Sequence, residues 1–194
     1  MGYHKVEPRI PFPGGREFDF RTPEVFDFRL EEIAHGLSNL CRYTGSTRVF
    51  YSVAEHSVLV SKLVSRVSPE FALEGLLHDA AEAFVGDVSG PLKTLLPDYK
   101  RIESRVEEAI AAHFRLQYPW PAVVKEADLA VLKYEKELLL DGHPQDWRIY
   151  EDVDFDTFRM DWRVGLPRGF QPDQAKRWYI KTYEELVLAR ATEK

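Results

Sequence analysis

The segment Leu76-Leu77-His78-Asp79-Ala80-Ala81-Glu82 sets an adjacent imidazole and carboxylate inside an otherwise apolar stretch of helical character. A chain that buries such a pair must give it partners, because an unpaired buried charge costs several kcal/mol. Two more polar residues intrude on apolar helical stripes in the same way. Between Ser52 and Val67 the stripe is Val53, Val60, Leu63, Val64 and Val67, and His56 falls three residues after Val53 and four before Val60. Between about Ala122 and Leu140 it is Val124, Ala127, Val131, Leu132, Glu135 and Leu138, with Asp128 among them. Spacings of three and four place all of these on one helix face, so imidazoles and carboxylates from three helices are expected to point into one core.

The surrounding sequence predicts an all-α domain of at least six helices. Residues 1–28 are rich in Pro, Gly, Arg and Phe and read as an irregular arm, with turns at Pro11-Phe12-Pro13-Gly14-Gly15. A first helix is expected over about Arg29–Arg42, carrying Ile33, Leu37, Leu40 and Cys41. Ser52 and Glu55 make a Ser-x-x-Glu capping box that starts the second helix, which should run to about Val67. Ser68-Pro69 opens a third helix, continuous to about Phe84. After a loop over Gly86–Pro91, an amphipathic helix is expected from about Asp98 to Phe114, then the Asp128 helix. Residues 29–140 form the core on this reading. Residues 141–194 form an extension, with a long excursion that has room for a hairpin over Asp141–Gln171 and a final helix from Pro172-Asp173.

Size and composition narrow the classes further. The 194 residues fit one domain large enough to bury a polar site. No segment approaches the length of a membrane span, and the first thirty residues lack a secretory apolar run, so a cytoplasmic protein without membrane contact is expected. A single cysteine, Cys41, excludes an intrachain disulfide and a thiolate metal cluster. The net charge of −6 argues against a nucleic-acid polymer as partner. It leaves small anions open, because a bound cation and a few local bases can offset their charge.

One divalent cation would satisfy His56, His78, Asp79 and Asp128 together, as a shell of two nitrogens and two oxygens suited to a borderline ion. Each residue also has an ordinary explanation. A single inward histidine is often a hydrogen-bonded core residue, and Asp128 can cap a neighbouring helix or pair with Lys125 or Arg148.

Taken in order, the pieces Cys41-Arg42-Tyr43, Val53-Ala54-Glu55-His56-Ser57, Leu77-His78-Asp79-Ala80-Ala81-Glu82, Gly86-Asp87, Pro91-Leu92-Lys93 and Lys125-Glu126-Ala127-Asp128 resemble the HD-domain phosphohydrolases, with their H…HD…D pattern. The likeness covers about Ile33–Leu139 and is nearest to the branch of bacterial 5′-deoxynucleotidases and phage deoxyadenosine triphosphate triphosphohydrolases. It implies a single HD-type helical bundle in which His56, His78, Asp79 and Asp128 bind a divalent ion (Co, Mn, Zn, Fe, Ni or Mg) that leaves positions open for water and a phosphate oxygen. Hydrolysis of the 5′ phosphate ester of a (deoxy)nucleotide is the implied reaction. Glu82 and Asp87 are then the candidate catalytic carboxylates. Arg42 and Lys93 are the candidate phosphate partners, and Tyr43, where relatives often carry Trp, a stacking or sugar contact. Lys62 and Arg101 are further cations that a triphosphate would call on. His35 and the four tryptophans read as structural. A phosphodiesterase for cyclic or signalling nucleotides and a non-catalytic nucleotide or metal sensor are the competing functions. A homo-oligomer is expected.

Overall fold

The computed structural model describes residues 6–140, 153–161 and 164–192. It is an all-α bundle with one small sheet. Its helices are α1 (Leu30–Asn39), α2 (Val53–Val67), α3 (Ala72–Leu77), α4 (Glu82–Val85), α5 (Gly90–Lys93), α6 (Pro97–Phe114), α7 (Ala122–Leu139) and α8 (Pro172–Thr192). Among the described residues no helix is long and apolar enough to cross a membrane.

Helix α2 is the central element and packs against α1, α3, α7 and α8. It starts where the sequence says, since the Ser52 hydroxyl accepts a hydrogen bond from Glu55 N at 3.2 Å. The other half of the expected capping box is replaced. The buried Glu55 carboxylate turns away from Ser52 and accepts the backbone N–H groups of Arg168, Gly169 and Phe170 at 2.6, 3.2 and 2.7 Å. Three donors from the C-terminal extension thereby dock it onto the core helix. The buried serines of α2 are also satisfied, Ser57 by Val53 O and Ser61 by Ala72 O, as buried polar groups require.

The expected continuous helix to Phe84 is interrupted at His78–Ala81, where the chain forms turns between α3 and α4. The carbonyl of Gly75 accepts the His78 side chain, and the next backbone donors bond three residues back, Ala80 N to Leu77 O and Glu82 N to Asp79 O. The chain thus leaves regular helix at the His-Asp pair. Gly75 lets α3 lie against α2, because a Cβ there would stand 3.1 Å from Ser61 Cα.

The N-terminal arm is more ordered than its composition suggests. Arg9–Phe12 and Arg16–Asp19 pair as an antiparallel hairpin in the register Arg9↔Asp19 and Phe12↔Arg16. Gly14 and Gly15 take positive φ in its turn, a conformation that glycine supplies at little cost. Strands of four residues give too little alternation to be read from sequence. Phe18, fully buried, meets Phe84 of α4 at a ring distance of 4.6 Å and Phe26 edge-on at 5.2 Å, so the arm braces the segment after the His-Asp pair. Of the proposed 141–171 excursion, residues 141–152 and 162–163 lie outside the described set, and no strand occurs in the described remainder.

Candidate metal centre

The three polar intrusions converge. His56, His78 and Asp128 can each present one ligand atom within 4.8 Å of the others. Asp79 Oδ2 lies 3.3 Å from His78 Nε2 and 3.6 Å from His56 Nε2, and Asp128 Oδ1 lies 3.1 Å from His56 Nε2. The histidines are buried, whereas the Asp79 and Asp128 side chains keep 21% and 35% of their exposure, so the carboxylates form the solvent side of the cluster.

Each imidazole is anchored from behind. His56 Nδ1 sits 2.6 Å from Glu135 Oε1, and His78 Nδ1 sits 2.9 Å from Gly75 O. Both Nε2 atoms are buried without a hydrogen-bond partner among the described residues; the close approach of Asp128 to His56 lacks hydrogen-bond geometry. A histidine whose Nδ1–H is donated to a carboxylate or carbonyl presents a lone pair at Nε2, the arrangement that orients metal-binding imidazoles. Two such imidazoles beside two carboxylates fit a divalent cation by donor type, and in the metal-free protein a proton on His56, favoured by Glu135 and Asp128, offsets the carboxylate charge.

Glu135 is the residue that sequence reasoning missed as part of the site. Fully buried on α7, it contacts His56 and accepts the hydroxyls of Tyr43 and Tyr51 at 2.7 Å each and Arg42 Nε at 3.3 Å. Burial opposes its ionisation, but the Arg42 guanidinium and His56 more than compensate and hold its pKa at about 2. The available signal was its place seven residues after Asp128, a second carboxylate on the same apolar stripe.

The other candidates divide. Arg42 reaches the cluster but is tied down, with Nη1 3.4 Å from Asp79 Oδ2 and Nε on Glu135. Tyr43 gives its hydroxyl to Glu135. Glu82 is buried with Oε2 unpartnered, and burial together with the Asp79 and Asp87 carboxylates raises its pKa well above the usual value. Asp87 is raised mainly by burial and lies within electrostatic reach of Arg42, Asp79 and Lys93. Lys93 Nζ bridges Glu82 at 3.4 Å and Glu103 at 2.7 Å.

Lys62 and Arg101 are not brought to the cluster by any observed contact. Arg101 pairs with exposed Asp98, and Lys62 stands 4.8 Å over the Trp178 ring. His35 is exposed on α1. Asp128 faces His56 instead of capping a helix; Arg148, its other suggested partner, lies outside the described residues, as do Trp147 and Trp162.

Fold and cluster define an all-helical protein in which two buried histidines face two partly exposed aspartates. No family model matches the chain. It is 40% identical over 139 residues to the uncharacterized protein YfdR of Escherichia coli, covering 72% of this chain and 76% of that one. The chain belongs to the family of that protein. It is also 38% identical over 120 residues to the uncharacterized protein RCAP_rcc00048 of Rhodobacter capsulatus, covering 58% of this chain and 61% of the relative.

Proposed function

We propose that the protein is a divalent-metal-dependent phosphohydrolase of the HD type that cleaves the 5′ phosphate ester of a (deoxy)nucleotide. The observation that carries this reading is the pair of buried, unpartnered Nε2 atoms of His56 and His78, each backed at Nδ1 and flanked by Asp79 and Asp128. A divalent ion held by these four groups supplies Lewis acidity toward a phosphoryl oxygen and toward water.

The neighbouring side chains have the charge and protonation that ester hydrolysis needs. Arg42, fixed between Asp79 and Glu135, and Lys93, fixed between Glu82 and Glu103, hold positive charge beside the cluster and offset phosphate oxygens. With its pKa raised by burial, Glu82 keeps a proton at a pH where an exposed glutamate has lost it, so it can donate to the departing ester oxygen. Asp87, partly exposed on the loop after α4, is the carboxylate that would orient the attacking water. Water adds to phosphorus and gives one proton to Asp87, the P–O ester bond breaks, the proton from Glu82 completes the leaving hydroxyl, and exchange with solvent returns both carboxyl groups to their starting state. The lone cysteine is free and the fold has no need of an oxidising compartment, in keeping with a cytoplasmic location.

The test is a screen of metal against nucleotide with base and phosphate number varied, separating phosphate from triphosphate by chromatography. Release from at least one deoxynucleotide is expected with one of Co, Mn, Zn, Fe, Ni or Mg, and His78→Ala should lose metal retention and turnover together. No release from any nucleotide, or turnover retained in His78→Ala, would sink the proposal.

A further inference from the structure

A second site lies on the other side of α2. A cavity of about 280 Å³ opens between the C-terminal half of α2, residues 164–170 and the start of α8, lined by Lys62, Arg168, Phe170, Gln174 and Trp178 among others. None of His56, His78, Asp79 and Asp128 lines it. Lys62 follows His56 by six residues, which on an α-helix is about 9 Å along the axis and roughly 120° around it. We propose that this cavity binds a small molecule combining one phosphate or carboxylate group with a planar ring, independently of the metal centre.

The charge in the cavity is unbalanced. Among the described residues neither Lys62 nor Arg168 has a carboxylate within 4 Å, although each acts on the other electrostatically. Burial lowers the Lys62 pKa, Glu185 offsets part of that, and Arg168 and Lys181 lower it further. Glu185 is itself engaged by Lys181 at 3.7 Å. Two cations with no carboxylate in contact, lining one concave space, present a guanidinium fork and an ammonium to an anion. The remaining wall is aromatic. Phe170 and Trp178 meet edge to face at 5.3 Å and 90°, and Lys62 Nζ lies 4.8 Å from the Trp178 ring centre. The Gln174 amide nitrogen adds a donor to the lining, its oxygen already accepting Gln171 N at 3.2 Å. A space near the lower end of the usual ligand-pocket range, roughly 300–1,000 Å³, suits a small planar ring system with one anionic group.

The wall is also preorganised. The Glu55 carboxylate takes the backbone N–H groups of Arg168, Gly169 and Phe170, leaving the Arg168 side chain exposed while its main chain is fixed. At Gly169 the segment packs so closely that a Cβ would stand 2.8 Å from Phe50 O. Binding to a wall held in this way loses little ordering entropy.

The decisive experiment is calorimetric titration of the full chain carrying His78→Ala and stripped of metal with EDTA, so that nothing measured depends on the phosphohydrolase reading. The probes are AMP and benzoate, which separate phosphate from carboxylate, with adenosine and inorganic phosphate as the half-ligands. AMP or benzoate should bind, with adenosine and phosphate each at least tenfold weaker than AMP if phosphate is the preferred anion. Lys62→Ala and Arg168→Gln should each weaken binding at least tenfold with the thermal transition unchanged; the second retains the backbone N–H that Glu55 holds. Absence of AMP and benzoate binding at millimolar concentration, or binding that neither substitution alters, would overturn the proposal.

Discussion

Substituting Glu135→Gln removes one charge from the centre of the bundle while leaving shape and packing intact. The carboxylate contacts His56 Nδ1 at 2.6 Å, Tyr43 and Tyr51 hydroxyls at 2.7 Å, and Arg42 Nε at 3.3 Å. Tyr51 and His56 share one carboxylate oxygen and Tyr43 and Arg42 the other, so an amide keeps the acceptor for one pair and turns a donor toward the other. Hydrogen bonds to charged groups contribute about 1.5–3 kcal/mol each, and they are not additive within one network. The same contacts lower the Glu135 pKa from 4.5 to about 2, which by linkage corresponds to roughly 3 kcal/mol of stability near neutral pH. For a chain of this length roughly 3 kcal/mol is a fall in Tm of about 6–12 °C. The sign with pH follows from the depressed pKa. The contribution is complete above the ordinary glutamate range and is lost as pH falls toward 2, so the gap between wild type and variant should narrow from pH 5 to pH 3. Thermal and urea unfolding at pH 7, 5 and 3 measure both effects. Because Glu135 orients His56, metal affinity should also drop, by about 10–100-fold. A variant that melts within 1 °C of wild type at pH 7, or a gap that stays constant to pH 3, would refute the account of Glu135 as an ionised anchor.

Three further outcomes follow from other parts of the fold. Glu55→Ala leaves three backbone donors of residues 168–170 without their acceptor and should cost about 2–4 kcal/mol, with faster proteolysis between residues 153 and 171 than in wild type; unchanged cleavage there would contradict the docking role. Gly75→Ala forces a methyl to 3.1 Å from Ser61 Cα and should lower stability by about 1–3 kcal/mol in urea unfolding, whereas a neutral result would mean α2 and α3 can separate freely. In the metal-free protein, burial and Arg42 oppose protonation of His56, but Glu135 and Asp128 prevail and raise its pKa to about 10. A raised pKa means the proton is present at neutral pH and must leave before Nε2 can bind a metal, so apparent affinity should rise with pH by up to about tenfold per unit. Titrations in buffers of different ionisation enthalpy would detect the released proton, and an affinity constant from pH 6 to 8 would exclude the coupling.

How much of this was legible beforehand depends on where the information resides. Helix α2 could be read at its start because Ser52 is a local cap, and α6, α7 and α8 because their apolar spacing runs for many turns. His56, His78 and Asp128 could be read as neighbours because a charge on an apolar stripe has few explanations, and Asp79 comes with them through its place beside His78. Glu135 obeys the same rule and was passed over as a stripe member, since nothing local to it shows that Arg42, Tyr43, Tyr51 and His56 will all reach it from distant parts of the chain. The break at His78–Ala81 was hidden for a different reason. It depends on a side chain taking a backbone carbonyl, a competition that periodicity does not register. Glu55 misled most directly, because its position satisfies the capping-box pattern while its carboxylate serves donors more than a hundred residues away.

Glu55 and His56 are adjacent in α2, and that adjacency ties the extension to the centre. Neighbouring residues on a helix point about 100° apart, so one helix can offer an imidazole to the α3–α7 side and a carboxylate to the extension without a turn between them. Lys62 comes seven residues after Glu55, two helical turns on and nearly in line with it, which is why the cavity wall and the clamp that fixes it share a face. A displacement of α2 along its axis would therefore alter the His56 anchor on Glu135 and the Arg168–Phe170 wall together. Rigid packing opposes such a displacement, since α2 is buried through most of its length, with Gly75 closing the gap to α3 and the phenylalanine cluster of the arm bracing α4. Occupancy of the cavity is therefore expected to leave the His56 anchor on Glu135 in place, as binding independent of the His-Asp cluster requires.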